Sequence, residues 1–371
     1  MTTLDTPDTP FAVVDADRLD RNIARLRDHL DQLGVPLRLH VKTSKSVEVA
    51  ERVQAGGPIT VSTLAEAEHF ADAGYRDILY AVGIDPHKLP RVAALLHRGV
   101  TLTVLLDSLT QAESLVSFAH NENLRVPALI EVDCDGHRGG IAPTDPALVE
   151  IGRALGDCLA GVLTHAGESY FAYTPDALRK SASNERDIAV AAADSLHSAG
   201  LPCPIVSVGS TPTAHAATDL TGVTEARAGN YVFFDLVMAG IGVCTTDDLA
   251  LSVAVTVIGH RPDKNWILTD GGWMATSRDR GTQVQAVDQG YGLVANLDGT
   301  LIPHLIMTGA SQEHGVLSTR DSEPVPDLPI GTRLRILPNH ACATAAQHDR
   351  YHVVSGTKLD VDETWTRHRG W

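Results

Sequence analysis

The stretch ITVSTLAEAEHFADAGYRDILYAV (59–82) decides the fold. It reads as a β-branched apolar run, ITVST (59–63), an amphipathic helical segment, LAEAEHFADAG (64–74), and a second apolar run, ILYAV (78–82). Strand, helix and strand in so short a space predict two parallel strands joined by a crossover. Working outward, LRLHVK (37–42), TLTVLL (101–106), ALIEVD (128–133), AGVLTH (160–165), PIVSVG (204–209) and VTEAR (223–227) bring the runs to eight, most of them followed by helical pattern. Eight such units in about 200 residues predict a closed (β/α)8 TIM barrel rather than an open doubly wound sheet.

After about residue 245 the grammar changes. LSVAVTVIGH (251–260), NWILTDGG (265–272), GYGLVANLDG (290–299), LIPHLIMTG (301–309), TRLRILP (332–338) and YHVVSG (351–356) are separated by Gly, Pro and Asp turns and predict an antiparallel β domain. FAVVDAD (11–17), ahead of the helix RLDRNIARLRDHLDQLG (18–34), reads as a lone strand with no barrel slot. The expected organisation is an α/β chain with a barrel over 16–245 and a C-terminal β domain over 246–371, the latter joined by strand 10–15. SEPVPDLPIG (322–331) reads as a long polar loop.

Composition narrows the function. With 371 residues, 43% of them hydrophobic, the chain can bury a large core. Thirty basic against 46 acidic residues leave −16, which repels nucleic acid and anionic membranes. No stretch is apolar enough for a membrane span, and MTTLDTPDTP (1–10) lacks the basic and apolar regions of a signal peptide. Five cysteines at 134, 158, 203, 244 and 342, without CxxC spacing, fit reduced thiols in a cytoplasmic protein.

In such a barrel the reacting groups stand at the C-terminal ends of the strands. Alternation in LRLHVK puts Arg38, His40 and Lys42 on one face, so Lys42 is expected to face the barrel mouth, where enclosure favours a neutral amine able to form a Schiff base. Lys45 falls on the opposite parity and is expected to be solvated. The seventh run leads into GSTPT (209–213), where Gly209 permits close approach, Thr211 can cap and Pro212 suits a first helical position; the eighth leads into ARAGNY (226–231). Barrels hold phosphate at these two turns. A lysine plus a phosphate anchor point to pyridoxal phosphate. Arg138 in DCDGHRGG (133–140) and His165 in LTHAGESY (163–170) are placed to touch its ring.

These residues resemble the fold-type III, alanine racemase-like pyridoxal-phosphate enzymes, in the branch that contains D-serine dehydratases, D-threo-3-hydroxyaspartate dehydratases and D-threonine aldolases. The matching segments are LRLHVKTSKS, VSTLAEAEHFADAG, EVDCDGHRGG, GVLTHAGESY, VSVGSTPTA, EARAGNYVFFD, DGGWMATSRDRG, SQEHG and LPNHACAT, spread along the whole chain. The resemblance implies a homodimer, Lys42 as the Schiff-base lysine, and Arg138, His165, Tyr170, Gly209, Ser210, Thr211, Gly229, Asn230 and Tyr231 as cofactor contacts. Arg227 takes the place of an arginine beside the pyridine nitrogen. It further implies a divalent metal in the β domain held by a His-x-Cys pair, here His340 and Cys342; a thiolate favours Zn²⁺, with Mn²⁺, Co²⁺ or Mg²⁺ as alternatives. KTSKS and NHACAT sit nearest the hydroxyaspartate dehydratases, whereas many D-serine dehydratases read KTHK. A second substrate carboxylate would need donors, for which Gln312, Glu313, His314, Arg278 and Arg280 are candidates.

The expected reaction is β-elimination from a 3-hydroxy amino acid such as D-threo-3-hydroxyaspartate or D-serine, giving oxaloacetate or pyruvate and ammonia. Retro-aldol cleavage to glycine and an aldehyde is the nearest rival. A racemase would leave the metal pair without purpose, and the β domain counts against a non-catalytic carrier of the cofactor.

Overall fold

The computed structural model describes residues 2–321 and 323–371. By contact density these fall into two compact units, one comprising 2–24 with 230–367, the other 25–229 with 368–371.

The second of these is a closed parallel barrel of β2 (Leu37–His40), β3 (Ile59–Val61), β4 (Asp77–Gly83), β5 (Thr101–Leu106), β6 (Ala128–Val132), β7 (Leu159–Thr164), β8 (Ile205–Val208) and β9 (Glu225–Ala228). β2 closes the cylinder on β9, with Leu37 opposite Ala226 and Leu39 opposite Ala228. Local chemistry sets the helix starts. Thr63, Ser108, Asp145 and Thr174 accept backbone N–H bonds as N-caps, and Pro146 and Pro175 occupy first turns where no donor is lost. The helix Ala16–Gln32 crosses the division between the units and buries Leu19, Ile23, Leu26 and Leu30, one face at 3.6-residue spacing.

Among the described residues the other unit is a sheet in the order β11-β14-β13-β12-β15-β10-β1-β16-β17, where β1 is Phe11–Asp15, β10 Leu251–Arg261, β11 Trp266–Thr269, β12 Gly292–Asn296, β13 Leu301–Ala310, β14 Gly315–Thr319, β15 Arg333–Pro338, β16 Arg350–Val354 and β17 Glu363–Thr366. A further β10–β11 pairing closes the first six of these into a ring around Val253, Val255, Ile267, Met307, Leu317 and Ile336. β1 lies between β10, which it meets antiparallel, and β16, which it meets parallel.

The differences from the sequence reading are local. The β2 strand ends at His40, and 41–44 form a turn in which Lys45 N–H donates to Val41 O at 2.7 Å. Strands β14 and β17 are additional to the runs read from the sequence. Residues 323–331 carry no helix or strand, as a loop should; Ser322, where the predicted loop begins, lies outside the described residues. The segment 230–245, assigned to the barrel from the strand pattern, groups instead with the sheet, because Asp235 accepts the Ala341 N–H at 2.8 Å and Asn339 O accepts from Val237. No helix among the described residues is long and apolar enough to cross a membrane.

Candidate active site

Lys42 stands two residues beyond β2, half-buried at the C-terminal end of the barrel. Its backbone N–H donates to His40 Nδ1 at 3.4 Å, and Val41 N–H donates to Thr60 O at 2.9 Å, so β2 and β3 together fix the turn. Lys45 corrects an expectation. Its backbone adopts φ 47°, which turns the side chain inward to pair with Glu66 at 2.7 Å, and Glu66 is fully buried. The parity argument failed because the strand had already ended.

His165 follows β7, and its Nδ1 lies 2.9 Å from Gly209 O, which makes Nδ1 the protonated nitrogen. Tyr170, in the turn Gly167–Phe171, holds its ring 6.4 Å from that of His165 at 53°. Arg138 is largely exposed, with one long contact to Glu131 at 3.4 Å. Its loop is anchored by Asp133, which accepts two backbone N–H bonds, and by Asp135, which accepts from Glu168 N–H at 2.8 Å.

At the β8 turn the cap is Ser210 rather than Thr211: Ser210 and Thr213 form a reciprocal capping box with Pro212 in the first turn. Gly209 has φ 147°, and a Cβ there would lie 2.0 Å from Arg227 O, so only glycine fits. The amides expected to face an anion are partly used within the fold. Gly209 N–H donates to Glu185 and Ser210 N–H to Thr213 Oγ1. A Cβ on Gly229 would meet His40 O at 2.5 Å, which keeps β9 tight against β2.

Arg227 is buried, donating to Ser207 Oγ and Thr164 O at 2.5 Å each. Ser207 donates in turn to Glu225, which pairs with Arg38, itself held by Asp77. Burial pushes Arg227 down to about 10 against the pull of Glu225 and Glu185. His165 is pushed to about 3, first by burial and then by the positive Lys42, Arg227 and Arg138. His40, which sequence reasoning left without a role, falls well below its ordinary value for the same reasons, with Lys42, Arg227 and His165 as neighbours. The mouth is therefore a set of cations and neutral imidazoles.

That imbalance has a pH signature. Both imidazoles are neutral in the folded chain and protonate near their ordinary 6.5 when unfolded, so below that pH the unfolded chain binds more protons and stability falls as pH drops. His165 alone is expected to cost ~2 kcal/mol at about pH 5. The melting temperature of the apoprotein should drop between about pH 7.5 and about pH 5, and drop less in His165→Gln; equal drops would remove the assignment.

The remaining candidates lie in the sheet unit. Asn230 Nδ2 donates to buried Asp235 at 2.6 Å, and Tyr231 is fully buried. For His340 and Cys342, β15 stops at Pro338, His340 is the extended N-cap of the short helix Ala341–Ala345, and Cys342 lies in its first turn. The two side chains nonetheless touch. Burial works against a proton on His340, but hydrogen bonds to Asp279 and Cys342 outweigh it and raise the imidazole to about 11. Asp279, unassigned from sequence although it sits inside DGGWMATSRDRG, holds Nδ1 at 2.6 Å and is itself lowered by that bond. Among the described residues no three His, Cys, Asp or Glu side chains converge as metal ligands, so this is a two-donor arrangement. Gln312, Glu313 and His314 form the exposed β13–β14 turn. Arg280 pairs with Asp288 at 2.6 Å, and Arg278 lies over Trp273, so both are committed locally.

Residues 14–237 match the family described as alanine racemase, N-terminal domain, more than half of the chain. The chain belongs to the alanine racemase-like family. Its second domain matches, over 250–354, the family described as putative serine dehydratase domain. Among alanine racemase-like relatives, D-threo-3-hydroxyaspartate dehydratase of Delftia sp. (strain HT23) is 54% identical, covering 100% of this chain and 99% of its own. The solved structure of that enzyme superposes with a TM-score of 0.97 at 53% identity, covering 100% of both chains. The 3-hydroxy-D-aspartate aldolase of Paracoccus denitrificans is 28% identical over 95% of this chain and 90% of its own. Alanine racemase-like enzymes of this kind depend on pyridoxal phosphate.

Proposed function

We propose that the protein is a pyridoxal-phosphate- and divalent-metal-dependent dehydratase that eliminates water from a 3-hydroxy amino acid, D-threo-3-hydroxyaspartate being the favoured substrate. The observation that carries this reading is the charge of the barrel mouth. Lys42 and Arg227 act on both His40 and His165, and Arg138 acts on His165, so positive charge gathers where a cofactor carrying phosphate and phenolate would be held. The likeness to the Delftia dehydratase, over the whole of both chains, supports the choice of substrate and of bond.

The residues fit the group. Lys42 would carry it through Nζ, Arg138 and His165 would flank its ring, Tyr170, Ser210 and Thr211 would meet its phosphate, and Arg227 would face its pyridine nitrogen. Bound there, pyridoxal phosphate supplies an electron sink for the pair left at the substrate's α-carbon. Lys42 Nζ, as a neutral amine, would be the base that takes the α-proton. Arg227, lowered yet still cationic at neutral pH, would disfavour a proton on a nitrogen it faces, so more of the task would fall to the leaving group. His340 and Cys342 fit a metal, since Asp279 orients the imidazole as carboxylates do for metal-bound histidines, and two donors leave positions vacant. A divalent ion there, with Zn²⁺ matching the thiolate, would supply Lewis acidity to the β-hydroxyl. Loss of the α-proton and hydroxide gives an enamine, which tautomerises and hydrolyses to an oxo acid and ammonia.

Product analysis tests it. Purified protein loaded with pyridoxal phosphate and Zn²⁺ or Mn²⁺ should convert D-threo-3-hydroxyaspartate to oxaloacetate and ammonia faster than it acts on D-serine or D-threonine. Glycine with glyoxylate would make it an aldolase instead, and no product from any of these would end the proposal.

A further inference from the structure

The helix Pro175–Ser198 buries Leu178, Ala182, Ala189, Ala192 and Leu196 along one face, and one charged residue shares that apolar stripe: Glu185, 2% exposed. A buried carboxylate among leucines and alanines is costly unless its oxygens are satisfied. Glu185 Oε1 accepts two backbone N–H bonds, from Ala166 at 2.9 Å and from Gly209 at 3.0 Å, and the nearby Thr213 side chain helps to lower its pKa. No cation pairs with it directly among the described residues; Arg227 acts on it from farther away, and burial raises its pKa.

The two amides are not arbitrary. Ala166 follows His165, and Gly209 opens the β8 turn; the Gly209 carbonyl receives the His165 Nδ1 proton. A single oxygen thus ties together the backbone on both sides of the imidazole. From the other side Ser169 Oγ donates to Ala166 O at 2.7 Å and lies 2.9 Å from Ser210 Oγ.

We propose that Glu185 is a positioning residue which clamps the His165 turn and the Gly209–Ser210–Thr211 turn into one rigid wall for an anionic ligand, fixing the tautomer of His165 and the cofactor's phosphate contacts without touching either. This rests on the reading of the barrel mouth given above. The role requires hydrogen-bond acceptance rather than charge, which separates it from a generic buried acid. Glutamine keeps an acceptor oxygen for both amides and an NH₂ group for Thr213. Leucine fills the stripe and leaves two buried N–H groups orphaned.

The test is a binding constant, independent of turnover. Pyridoxal phosphate and, separately, inorganic phosphate are titrated into apoprotein and followed by fluorescence, with folding checked by circular dichroism. Glu185→Leu should weaken both ligands roughly 10- to 100-fold, the range seen when supporting residues behind a ligand shell are lost, while Glu185→Gln stays within about threefold of wild type. Should the leucine variant not fold, Glu185→Asp decides, since its shorter side chain keeps the charge and cannot span both amides; it should weaken binding about tenfold. Unchanged affinity in the folded leucine variant, or in the aspartate variant in its place, overturns the proposal. So does a glutamine variant as weak as the leucine one. If wild-type apoprotein takes up no pyridoxal phosphate, the reading of the site fails; if it does and the variants bind equally, the clamp alone fails.

Discussion

Replacing Lys42 by alanine is expected to abolish the visible absorbance of the lysine-bound cofactor and to lower elimination by at least roughly 10⁴-fold, because in the function proposed above one side chain would supply both the covalent tether and the base at the α-carbon. Cofactor should still bind through its phosphate, so the variant protein regains ultraviolet absorbance of free pyridoxal phosphate after dialysis against it. The control is Lys45, three residues on. Its ammonium is 2.7 Å from Glu66 and its side chain is 17% exposed, against none for Glu66. Lys45→Met should therefore keep the visible band while lowering stability by ~3 kcal/mol, since it leaves a buried carboxylate unpaired. If the visible band instead survives in Lys42→Ala and vanishes in Lys45→Met, the two lysines have been assigned in the wrong order.

That control also shows where the sequence stops being legible. The eight barrel strands and the switch to antiparallel strands could be read because runs and turns are local patterns with known periods. Arg38 and His40 share a face as alternation requires, but the rule was carried two residues past the end of β2, where a turn and a positive φ put Lys45 inside. Strand β14, GVLST, and strand β17, ETWT, are short and carry no apolar alternation to find. ACATA, after Pro338, has small residues compatible with either strand or helix, so only tertiary context makes it a helix with His340 at its cap. Cofactor-facing candidates could be named from sequence because strand ends are countable. Glu185 and Asp279 were not, since each acts on a partner far along the chain: Gly209 lies 24 residues from Glu185 and His340 lies 61 from Asp279. The signal available for Glu185 was its intrusion into an apolar helical stripe, which a burial argument flags without saying what the carboxylate holds.

The same contrast between tether and metal makes Cys342 the second decisive position. Cys342→Ala would remove one of the two proposed protein donors, and the imidazole that remains is already drawn to Asp279. Such a site should lose its metal on dialysis, so metal content by mass spectrometry is expected to fall to near zero while the visible band, which depends on Lys42, is unaltered. Elimination should drop by roughly two to four orders of magnitude, the several kcal/mol that a Lewis acid contributes when hydroxide must leave. Cys342→Asp offers the complementary result. A carboxylate is a harder donor than a thiolate, so this variant should regain metal and prefer Mn²⁺ or Mg²⁺ over Zn²⁺. Full elimination by metal-free Cys342→Ala would show that the protein expels hydroxide with its own groups, with His340, whose bond to Asp279 raises its pKa, as the candidate acid. Replacing Asp279 by asparagine separates the two cases: it weakens metal retention if the imidazole is a ligand, and it removes the acid if the imidazole is the proton donor, so only in the second case does added Zn²⁺ fail to restore turnover.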